Sequence, residues 1–283
     1  MPEYIDLHVH SNCSDGTLSP AELVQYAVQK GLKAFALTDH DTTDGIPEAL
    51  EEGTRLGVEV IPGIELSTNY GGKDIHIVGL GIDIQDYHFQ EELKRFQNSR
   101  DIRNLKMIAK LQEAGIDISY DSMLSAFSDS VWTRAHFARY LLDHKYVRSM
   151  PEAFDRYLGD YAPCFVPREK VTPFQAIRLI HQGKGAAILA HPLLYHLSDT
   201  NLEKLVSELE HAGLDGLEAI YSTNKWVDET NMTHLAKRHH LRISGGSDFH
   251  GSNKPDIDLG TGKGNLKIPY ELLENLLKRD RSN

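Results

Sequence analysis

The feature that most constrains the fold is the alternation of short apolar runs with amphipathic helical patterns along the 283-residue chain. Such an alternation is typical of a mostly parallel sheet with helices on its outside. The predicted strands span 4–9, 34–38, 58–64, 74–80, 186–190, 216–221 and 242–246. The predicted helices between them span 19–30, 46–56, 173–183, 200–212, 226–239 and 270–279. Seven strands with helical crossings predict a closed or nearly closed α/β barrel.

The alternation breaks between Phe96 and Val171, where the apolar spacing is almost wholly helical. The helices predicted there are Glu91–Ala114, Val131–His144 and Pro151–Leu158. A stretch of about 75 residues far exceeds an ordinary connection of about 4–6 residues. We therefore predict a barrel domain formed by 1–95 and 172–283, and a helical insertion, 96–171, that caps the barrel mouth.

Composition and charge exclude several classes of protein. Hydrophobic residues make up 40% and charged residues 25%, ordinary values for a globular protein with a full core. No apolar run approaches the roughly 20 residues that span a bilayer, and the first residues lack the layout of a secretory signal. Cys13 and Cys164 are too few for a disulfide scaffold, so a cytoplasmic location is expected. A net charge of −11 argues against binding along an extended stretch of nucleic acid. This net charge allows a short phosphorylated substrate, because bound divalent ions reverse the sign of the charge at the site.

The first predicted strand carries two histidines on one face. In Tyr4-Ile5-Asp6-Leu7-His8-Val9-His10, alternation places Asp6, His8 and His10 on one side and the apolar residues on the other. Two histidines at i and i+2 reach one metal ion from the same side. A lone His-x-His is equally compatible with the polar edge of a strand, so the assignment depends on the residues that follow.

Histidines and carboxylates recur along the other strands, mostly where a strand ends. The motifs are Asp15-Gly16, Thr38-Asp39-His40, Pro62-Gly63-Ile64-Glu65, Asp74-Ile75-His76, Ala190-His191-Pro192 and Ser247-Asp248-Phe249-His250. The carboxyl ends of barrel strands form the catalytic face, so these side chains should converge there. The candidate metal ligands are His8, His10, Asp15, His40, Glu65, His76, His191, Asp248 and His250.

Nine candidate ligands exceed what one ion uses, since a catalytic zinc takes about three protein ligands and keeps an open position. Two or three ions that share bridging carboxylates are therefore expected. Imidazole with carboxylate suits zinc, manganese and iron alike. Asp6 and Asp39 are expected to orient the histidines rather than to bind metal.

As an ordered set, these motifs resemble the polymerase-and-histidinol-phosphatase (PHP) family from Ile5 to about Gly262. The resemblance implies a distorted seven-stranded barrel that binds up to three metal ions. It also implies three ligand sets, of which the first two share a bridging glutamate: His8, His10, Glu65 and Asp248; Glu65, His76 and His191; and Asp15, His40 and His250. A residue of suitable type stands at all nine positions, which favours an active enzyme over a degenerate structural copy.

Clustered divalent ions activate water near neutral pH and stabilise attacking and leaving oxygens together. The sequence has no glycine-rich phosphate loop with its lysine and no Gly-x-Ser-x-Gly elbow, and Cys13 is expected to be a packing residue. The expected reaction is hydrolysis of a phosphomonoester by metal-activated hydroxide. Glu65, His191 and Asp248 are predicted to be the residues most important for catalysis.

The helical insertion is expected to select the substrate. Thr133 is a predicted N-cap, and a helix N-terminus that carries an arginine suits a phosphate group. The candidate substrate contacts are Arg134, His136, Arg168, Ser222 and Asn224. The alternative for Arg134 and Arg139 is an exposed basic helix face.

The Arg-x-His pair and Tyr157-Leu158-Gly159 resemble the family branch that contains nucleoside 3′,5′-bisphosphate phosphatases, whose relatives also trim short RNAs from the 5′ end. The resemblance implies removal of the 3′-phosphate of such bisphosphates, and action on short oligonucleotides. Members of this branch often carry histidine where this chain has Asn224, which bears on the detailed substrate. The alternatives are a histidinol-phosphate phosphatase, which the arginines disfavour, and a metal-stabilised module without catalysis.

Overall fold

The structure is a computed structural model that describes residues 3–128, 130–167 and 171–278. Within those residues, eight strands form one sheet in the order β7-β6-β5-β4-β3-β2-β1-β8. The strands are β1 (Tyr4–Val9), β2 (Ala34–Leu37), β3 (Glu59–Tyr70), β4 (Lys73–Leu80), β5 (Ala186–Leu189), β6 (Gly216–Tyr221), β7 (Arg242–Gly246) and β8 (Ile268–Pro269). The helices are α1 (Pro20–Lys30), α2 (Ile46–Leu56), α3 (Tyr87–Glu113), α4 (Tyr120–Ala126), α5 (Arg134–Asp143), α6 (Met150–Ala153), α7 (Pro173–Gln182), α8 (Asp199–His211), α9 (Trp226–Arg238) and α10 (Glu271–Leu277).

The sheet curls until the end of β7 meets β1, so the predicted barrel is confirmed. Val9 and Phe249 form a parallel bridge, and the amide of Asp248 donates to the carbonyl of His8 at 2.8 Å. All seven predicted strands are present. The eighth, β8, is a two-residue strand that pairs antiparallel with Tyr4 and Ile5. A strand of two residues is too short to show a periodic pattern of apolar residues, which explains why it was not predicted.

The main departure from the predicted parallel sheet is a hairpin formed by β3 and β4. Residues 63–70 of β3 pair antiparallel with the whole of β4, and Gly71 and Gly72 connect the two strands with φ values of 60° and 86°. Two residues at positive φ suit a tight hairpin turn, which glycine forms without steric strain. β4 also pairs antiparallel with β5. As a result β4 begins at the catalytic face, and His76 near its start reaches the end of the barrel where the parallel strands finish.

The core has an interior layer and an outer layer. Ile5 and Leu7 pack inside the barrel with side chains from opposite strands, such as Val78 and Ile188. Val9 belongs instead to the cluster beneath α1 and α2. The register of β1 against β2 shifts between Asp6 and Val9, which separates Val9 from the interior layer and differs from the single apolar face predicted.

The stretch between β4 and α7 is helical, as predicted, and lies over the catalytic face. It contains α3 to α6 and a π-helical turn, Phe154–Leu158, around a hydrophobic cluster of its own that includes Phe137 and Leu141. α3 begins at Tyr87, earlier than predicted, because Asp86 accepts a hydrogen bond from the amide of Phe89. The short helix α4 was not predicted separately. The boundaries of a barrel domain and an insertion stay a prediction.

Across the described ranges, no helix combines the length and the apolar character that crossing a bilayer requires.

Candidate metal centre

Glu65, at the centre of the catalytic face, is surrounded by histidine rings. It follows the parallel part of β3, and its carboxylate is almost fully buried. Five imidazole nitrogens lie 2.9–3.3 Å from its two oxygens, contributed by His8, His10, His40, His76 and His191. One carboxylate thus contacts rings from β1 and the residue after it, from β4, and from the segments that follow β2 and β5.

Two further carboxylates complete the cluster. Asp15 Oδ1 lies 3.2 Å from Nε2 of His250, and Asp15 Oδ2 lies 3.7 Å from Nε2 of His40. Asp248 Oδ1 lies 3.4 Å from both Nε2 of His10 and Nδ1 of His250. All nine candidate ligands therefore converge at one end of the barrel.

Donor atoms within 4.8 Å of one another form four overlapping groups able to hold a metal ion: His10, Asp15, His40 and His250; His8, His10 and Asp248; His8, Glu65 and His191; and His40, Glu65 and His76. The third ligand set implied by the family resemblance appears complete, with His10 added. The second is divided, because His76 groups with His40 while His191 groups with His8. Which residue binds which ion stays a prediction.

Ring nitrogens that make no hydrogen bond test whether these residues fit metal ions. Among the described residues, Nε2 of His8, both ring nitrogens of His10 and Nδ1 of His191 are buried without a hydrogen-bond partner. Buried polar atoms are normally satisfied, so such nitrogens beside carboxylates fit divalent cations. The donor set is imidazole and carboxylate, which suits zinc, manganese or iron.

The electrostatics of the cluster keep its carboxylates ionised. Burial by itself favours neutral forms, yet the surrounding histidines hold the pKa of Glu65 well below its usual range. Burial likewise opposes protonation of His10, but contacts with Asp248 and Glu65 raise its pKa to about 9. Without metal, protons on His8 and His10, whose pKa values are both raised, balance part of the buried negative charge, and a bound cation would take over that role.

Glu218 on β6 supports the cluster and was not among the predicted residues. It is 2% exposed. Its Oε1 lies 3.0 Å from Nδ1 of His8, and its Oε2 accepts a hydrogen bond from the amide of His191 at 2.7 Å. His191 has a φ of 27°, a strained backbone conformation that this bond helps to hold. The only signal in the sequence is a lone charged residue inside an apolar strand.

Asp6 and Asp39 hold the backbone around the ligands instead of touching the histidine rings. Asp6 accepts hydrogen bonds from the amides of Ser247 and Gly260, both at 2.8 Å, and burial raises its pKa to about 6. Asp39 accepts from the hydroxyls of Ser11 and Ser14, each at 2.5 Å. The first anchors the segment before Asp248, and the second anchors the loop that carries Asp15.

A cavity of about 750 Å³ lies over the cluster. Asp15, His40, His76 and His250 line it from the barrel. Its cationic lining residues, among those described, are Arg100, Arg103, Arg134, Arg139 and Lys254. Lys254 donates to Asp248 Oδ2 at 2.5 Å, so at least one of these cations contacts a candidate ligand directly.

Arg134, a predicted substrate contact, lines the cavity from the first position of α5, and its role stays a prediction. Its guanidinium lies 3.0 Å from Asp74 and 3.0 Å from Asp160. Arg100, which was not predicted, is almost fully buried and donates to Asp41 Oδ2 at 2.7 Å and to the Ser67 hydroxyl at 2.8 Å. Asp41 follows His40, so Arg100 ties the helical stretch to the end of a ligand-bearing strand.

Three of the other predicted substrate contacts make hydrogen bonds within the protein and do not line this cavity. His136 belongs to the cap of α5: its Nδ1 accepts from the amide of Thr133 at 3.0 Å, and burial lowers its pKa to about 4. Ser222 donates to the carbonyl of Ser247 at 2.6 Å. Asn224 donates to the carbonyl of Ala219 at 2.9 Å. None of the three is among the described residues that line the cavity. Arg168 lies outside the described residues.

Fold and site together define an α/β barrel with a cluster of histidines and carboxylates, able to hold metal ions, at one end. Residues 6–171 match the PHP domain, and the chain belongs to the PHP family. The resemblance inferred from the motifs is thereby confirmed, and we class the chain with the metal-dependent phosphoesterases of that family.

Individual relatives cover nearly the whole chain. A 5′-3′ exoribonuclease of Haemophilus influenzae is 40% identical over 250 residues, which span 88% of this chain and 91% of the relative. A 3′,5′-nucleoside bisphosphate phosphatase of Chromobacterium violaceum is 35% identical over 257 residues, 90% of each chain. The solved structure of an amidohydrolase from Chromobacterium violaceum, with bound sulfate and no metal, superposes with a TM-score of 0.86 at 33% identity. That alignment covers 99% of this chain and 100% of the other.

Proposed function

We propose that this chain removes the 3′-phosphate of nucleoside 3′,5′-bisphosphates and also trims short oligonucleotides from the 5′ end. The observation that carries the proposal is the single cavity that joins the ligand cluster to several cationic side chains. A bisphosphate needs two places for its anionic groups. The cluster offers one and Arg134, with its planar guanidinium, offers the other.

The nine clustered residues are the proposed ligands of two or three divalent ions: manganese, iron or zinc. When bound, such ions supply an activated water molecule and neutralise charge on the phosphoryl oxygens. Glu65 keeps five imidazoles in place around its two oxygens. Lys254 and the hydroxyl of Tyr221 fix Oδ2 of Asp248, which leaves Oδ1 facing the rings.

Arg134 lies close enough to the cluster to bind the second phosphate of the same molecule. Its partner Asp74 stands two residues before His76 on β4, so both side chains point to the same face of the strand. A phosphate must compete with Asp74 and Asp160 for the guanidinium. Doubly charged phosphate forms strong bidentate contacts, which favours that exchange.

The relatives support a nucleotide substrate, since one is named as a bisphosphate phosphatase and another as an exoribonuclease. Histidinol phosphate is the main alternative. Among the described residues that line the cavity, five are lysine or arginine and three are aspartate, a balance that does not favour its cationic amine. A metal-stabilised module without catalysis is disfavoured by the complete ligand set beneath a cavity large enough for a nucleotide.

Phosphate release from 3′-phosphoadenosine 5′-phosphate by the manganese-loaded protein tests the proposal. The comparison substrates are 3′-AMP, 5′-AMP, histidinol phosphate and a 5′-phosphorylated trinucleotide RNA. We expect the bisphosphate to be preferred over both monophosphates. Equal rates on all three adenine nucleotides would remove the case for this substrate class.

His191→Ala separates the enzyme from the binding module. We expect the variant to lose hydrolysis, because His191 contacts Glu65 at 3.0 Å and is a proposed metal ligand. Unchanged hydrolysis together with a lowered melting temperature would instead indicate a purely structural metal site.

A further inference from the structure

Part of the cavity wall is apolar, in a region that the proposed function leaves without a role. Leu142 near the end of α5, Met150 and Pro151 in α6, and Phe154 in the π-helical turn all line it. Leu142, Met150 and Phe154 also pack against the buried cluster of the helical stretch. The buried cluster therefore holds these three side chains in place on one side, and their other side faces the cavity.

This wall adjoins the proposed second phosphate site. The guanidinium carbon of Arg134 lies 6.0 Å from the centre of the Phe154 ring, and the same guanidinium lies 3.0 Å from Asp74. Asp74 is two residues from the proposed ligand His76. The structure thus arranges metal ligands, a cation and an aromatic ring next to one another within one cavity.

We propose that Leu142, Met150, Pro151 and Phe154 form a subsite for the nucleobase of the substrate. The inference rests on the proposed function and deepens it, because it names the part of the substrate that the helical stretch recognises. Every base has an apolar face that stacks on aromatic side chains, and the Met150 thioether adds a favourable contact with flat rings. The cavity volume of about 750 Å³ lies within the range of small-molecule sites.

The shape of the turn that carries Phe154 supports a functional role. The amide of Gly159 donates to the carbonyl of Phe154 at 2.8 Å, which closes the wider π-helical turn. A Cβ atom at Gly159 would lie 2.8 Å from that same oxygen, so only glycine permits this closure. π-Helical turns occur frequently at functional sites. The Tyr157-Leu158-Gly159 motif thereby gains a structural reason: its glycine allows the turn that presents Phe154.

The subsite offers stacking without base-specific hydrogen bonds. Its four side chains carry no strong hydrogen-bonding group. The neighbouring Ser149 hydroxyl, which also lines the cavity, accepts a hydrogen bond from the amide of Glu152 as the N-cap of α6. We therefore expect purines to bind more tightly than pyrimidines, with little difference between adenine and guanine.

The kinetic test compares two substrates that differ only in the base: 3′-phosphoadenosine 5′-phosphate and ribose 3,5-bisphosphate. We expect wild type to prefer the nucleotide by about 10-fold or more in kcat/KM, and Phe154→Ala to reduce that preference by about 10-fold through KM. Tyr161→Ala is the matched control, because Tyr161 is an aromatic residue of the same segment that is 86% exposed and does not line the cavity. An unchanged preference in Phe154→Ala would overturn the subsite.

A binding measurement keeps the subsite testable if the proposed reaction is wrong. Calorimetric titration of 5′-AMP into the metal-loaded protein needs no turnover, and we expect about 10-fold weaker binding in Phe154→Ala than in wild type or Tyr161→Ala. Equal affinities would refute the subsite even if bisphosphates are hydrolysed. If wild type fails to hydrolyse bisphosphates yet shows this difference in AMP binding, the proposed function fails and the subsite stands. Phe154→Leu replaces the alanine variant if the latter does not fold, with a smaller loss expected.

Discussion

Replacing Glu218 by glutamine perturbs two proposed metal ligands through one buried carboxylate. The Nδ1 atom of His8 lies 3.0 Å from Oε1, and the amide of His191 donates to Oε2 at 2.7 Å. A carboxylate on Nδ1 fixes the tautomer of His8, so that Nε2, 3.3 Å from Glu65 and 3.7 Å from Asp248, is the nitrogen left to bind a metal ion. Glu218 itself contacts neither the cavity nor any proposed substrate group.

The size of the effect follows from these two contacts. Glutamine has one acceptor oxygen, so it keeps one hydrogen bond and turns its amide group towards the other donor. Losing a hydrogen bond to a charged acceptor costs about 1.5–3 kcal/mol. Independently, removal of a group that orients a metal-bound histidine lowers metal affinity by about 10–100-fold, or about 1.4–2.7 kcal/mol. The two ranges agree, and we expect Glu218→Gln to bind manganese or zinc about 10–100-fold more weakly.

The assay is competition for metal between the metal-free protein and a chromophoric chelator, with thermal melts at several metal concentrations. Glu203→Gln is the matched control, because Glu203 makes the same kind of contact, 2.8 Å from Nε2 of His239, on the protein surface. We expect this control to bind metal like wild type. The reasoning would be refuted if Glu218→Gln retained wild-type metal affinity, or if both variants lost affinity equally.

Three further outcomes are expected. Metal loading at pH 7.5 should release protons, because the pKa of His10 is raised to about 9 and its ring must deprotonate to bind a cation. Calorimetry in buffers of different ionisation enthalpy measures this proton release. Binding heats that do not depend on the buffer would contradict the prediction. Arg100→Ala removes the guanidinium from buried Asp41 and should lower the free energy of unfolding in urea by about 3–5 kcal/mol. Arg95→Ala, which breaks the exposed ion pair with Glu92, should lower the free energy of unfolding by less than about 1 kcal/mol. Similar losses in the two variants would contradict the expected difference between a buried and an exposed ion pair. Arg134→Ala should raise KM for the bisphosphate by about 10–100-fold and leave KM for 3′-AMP less affected; equal effects on both substrates would exclude a role at the second phosphate.

The barrel and the convergence of the nine candidate ligands were largely predictable because both depend on local patterns. Where an apolar run is followed by a histidine or carboxylate, one rule suffices to predict that these side chains converge: parallel strands finish at the same end of the barrel. The β3–β4 hairpin was missed although Gly71-Gly72 is a hairpin signal. The residues of β3 before this turn, Ser67-Thr68-Asn69, are polar. The strand therefore continues beyond its predicted end at 64 without an apolar pattern that would indicate it. His76 was assigned correctly to the catalytic face, but it reaches that face from the beginning of an antiparallel strand.

Glu218 and Arg100 were not predictable, because their roles depend on partners distant in the chain. Glu218 contacts a histidine 210 positions away, and Arg100 contacts an aspartate 59 positions away. In the sequence, Arg100 is one of many charged residues on a long polar helix. Only the packing of α3 over the barrel separates it from its exposed neighbours, such as Arg95.

The predicted substrate contacts Arg134 and His136 show what a motif on a helix leaves undecided. Arg134 and His136 were predicted together as one motif, yet residues two apart on a helix do not share a face. Only one of them can face the cavity, and the rotation of α5 about its axis decides which. That rotation follows from the apolar positions, because Phe137 and Leu141 are buried in the cluster of the helical stretch. Arg134, three residues before Phe137, lies at the rim of that buried face and reaches the cavity, while His136 turns back to close the cap with Thr133. The motif therefore identifies a segment that lines the cavity, and which of its two residues faces the cavity depends on the packing of the helix.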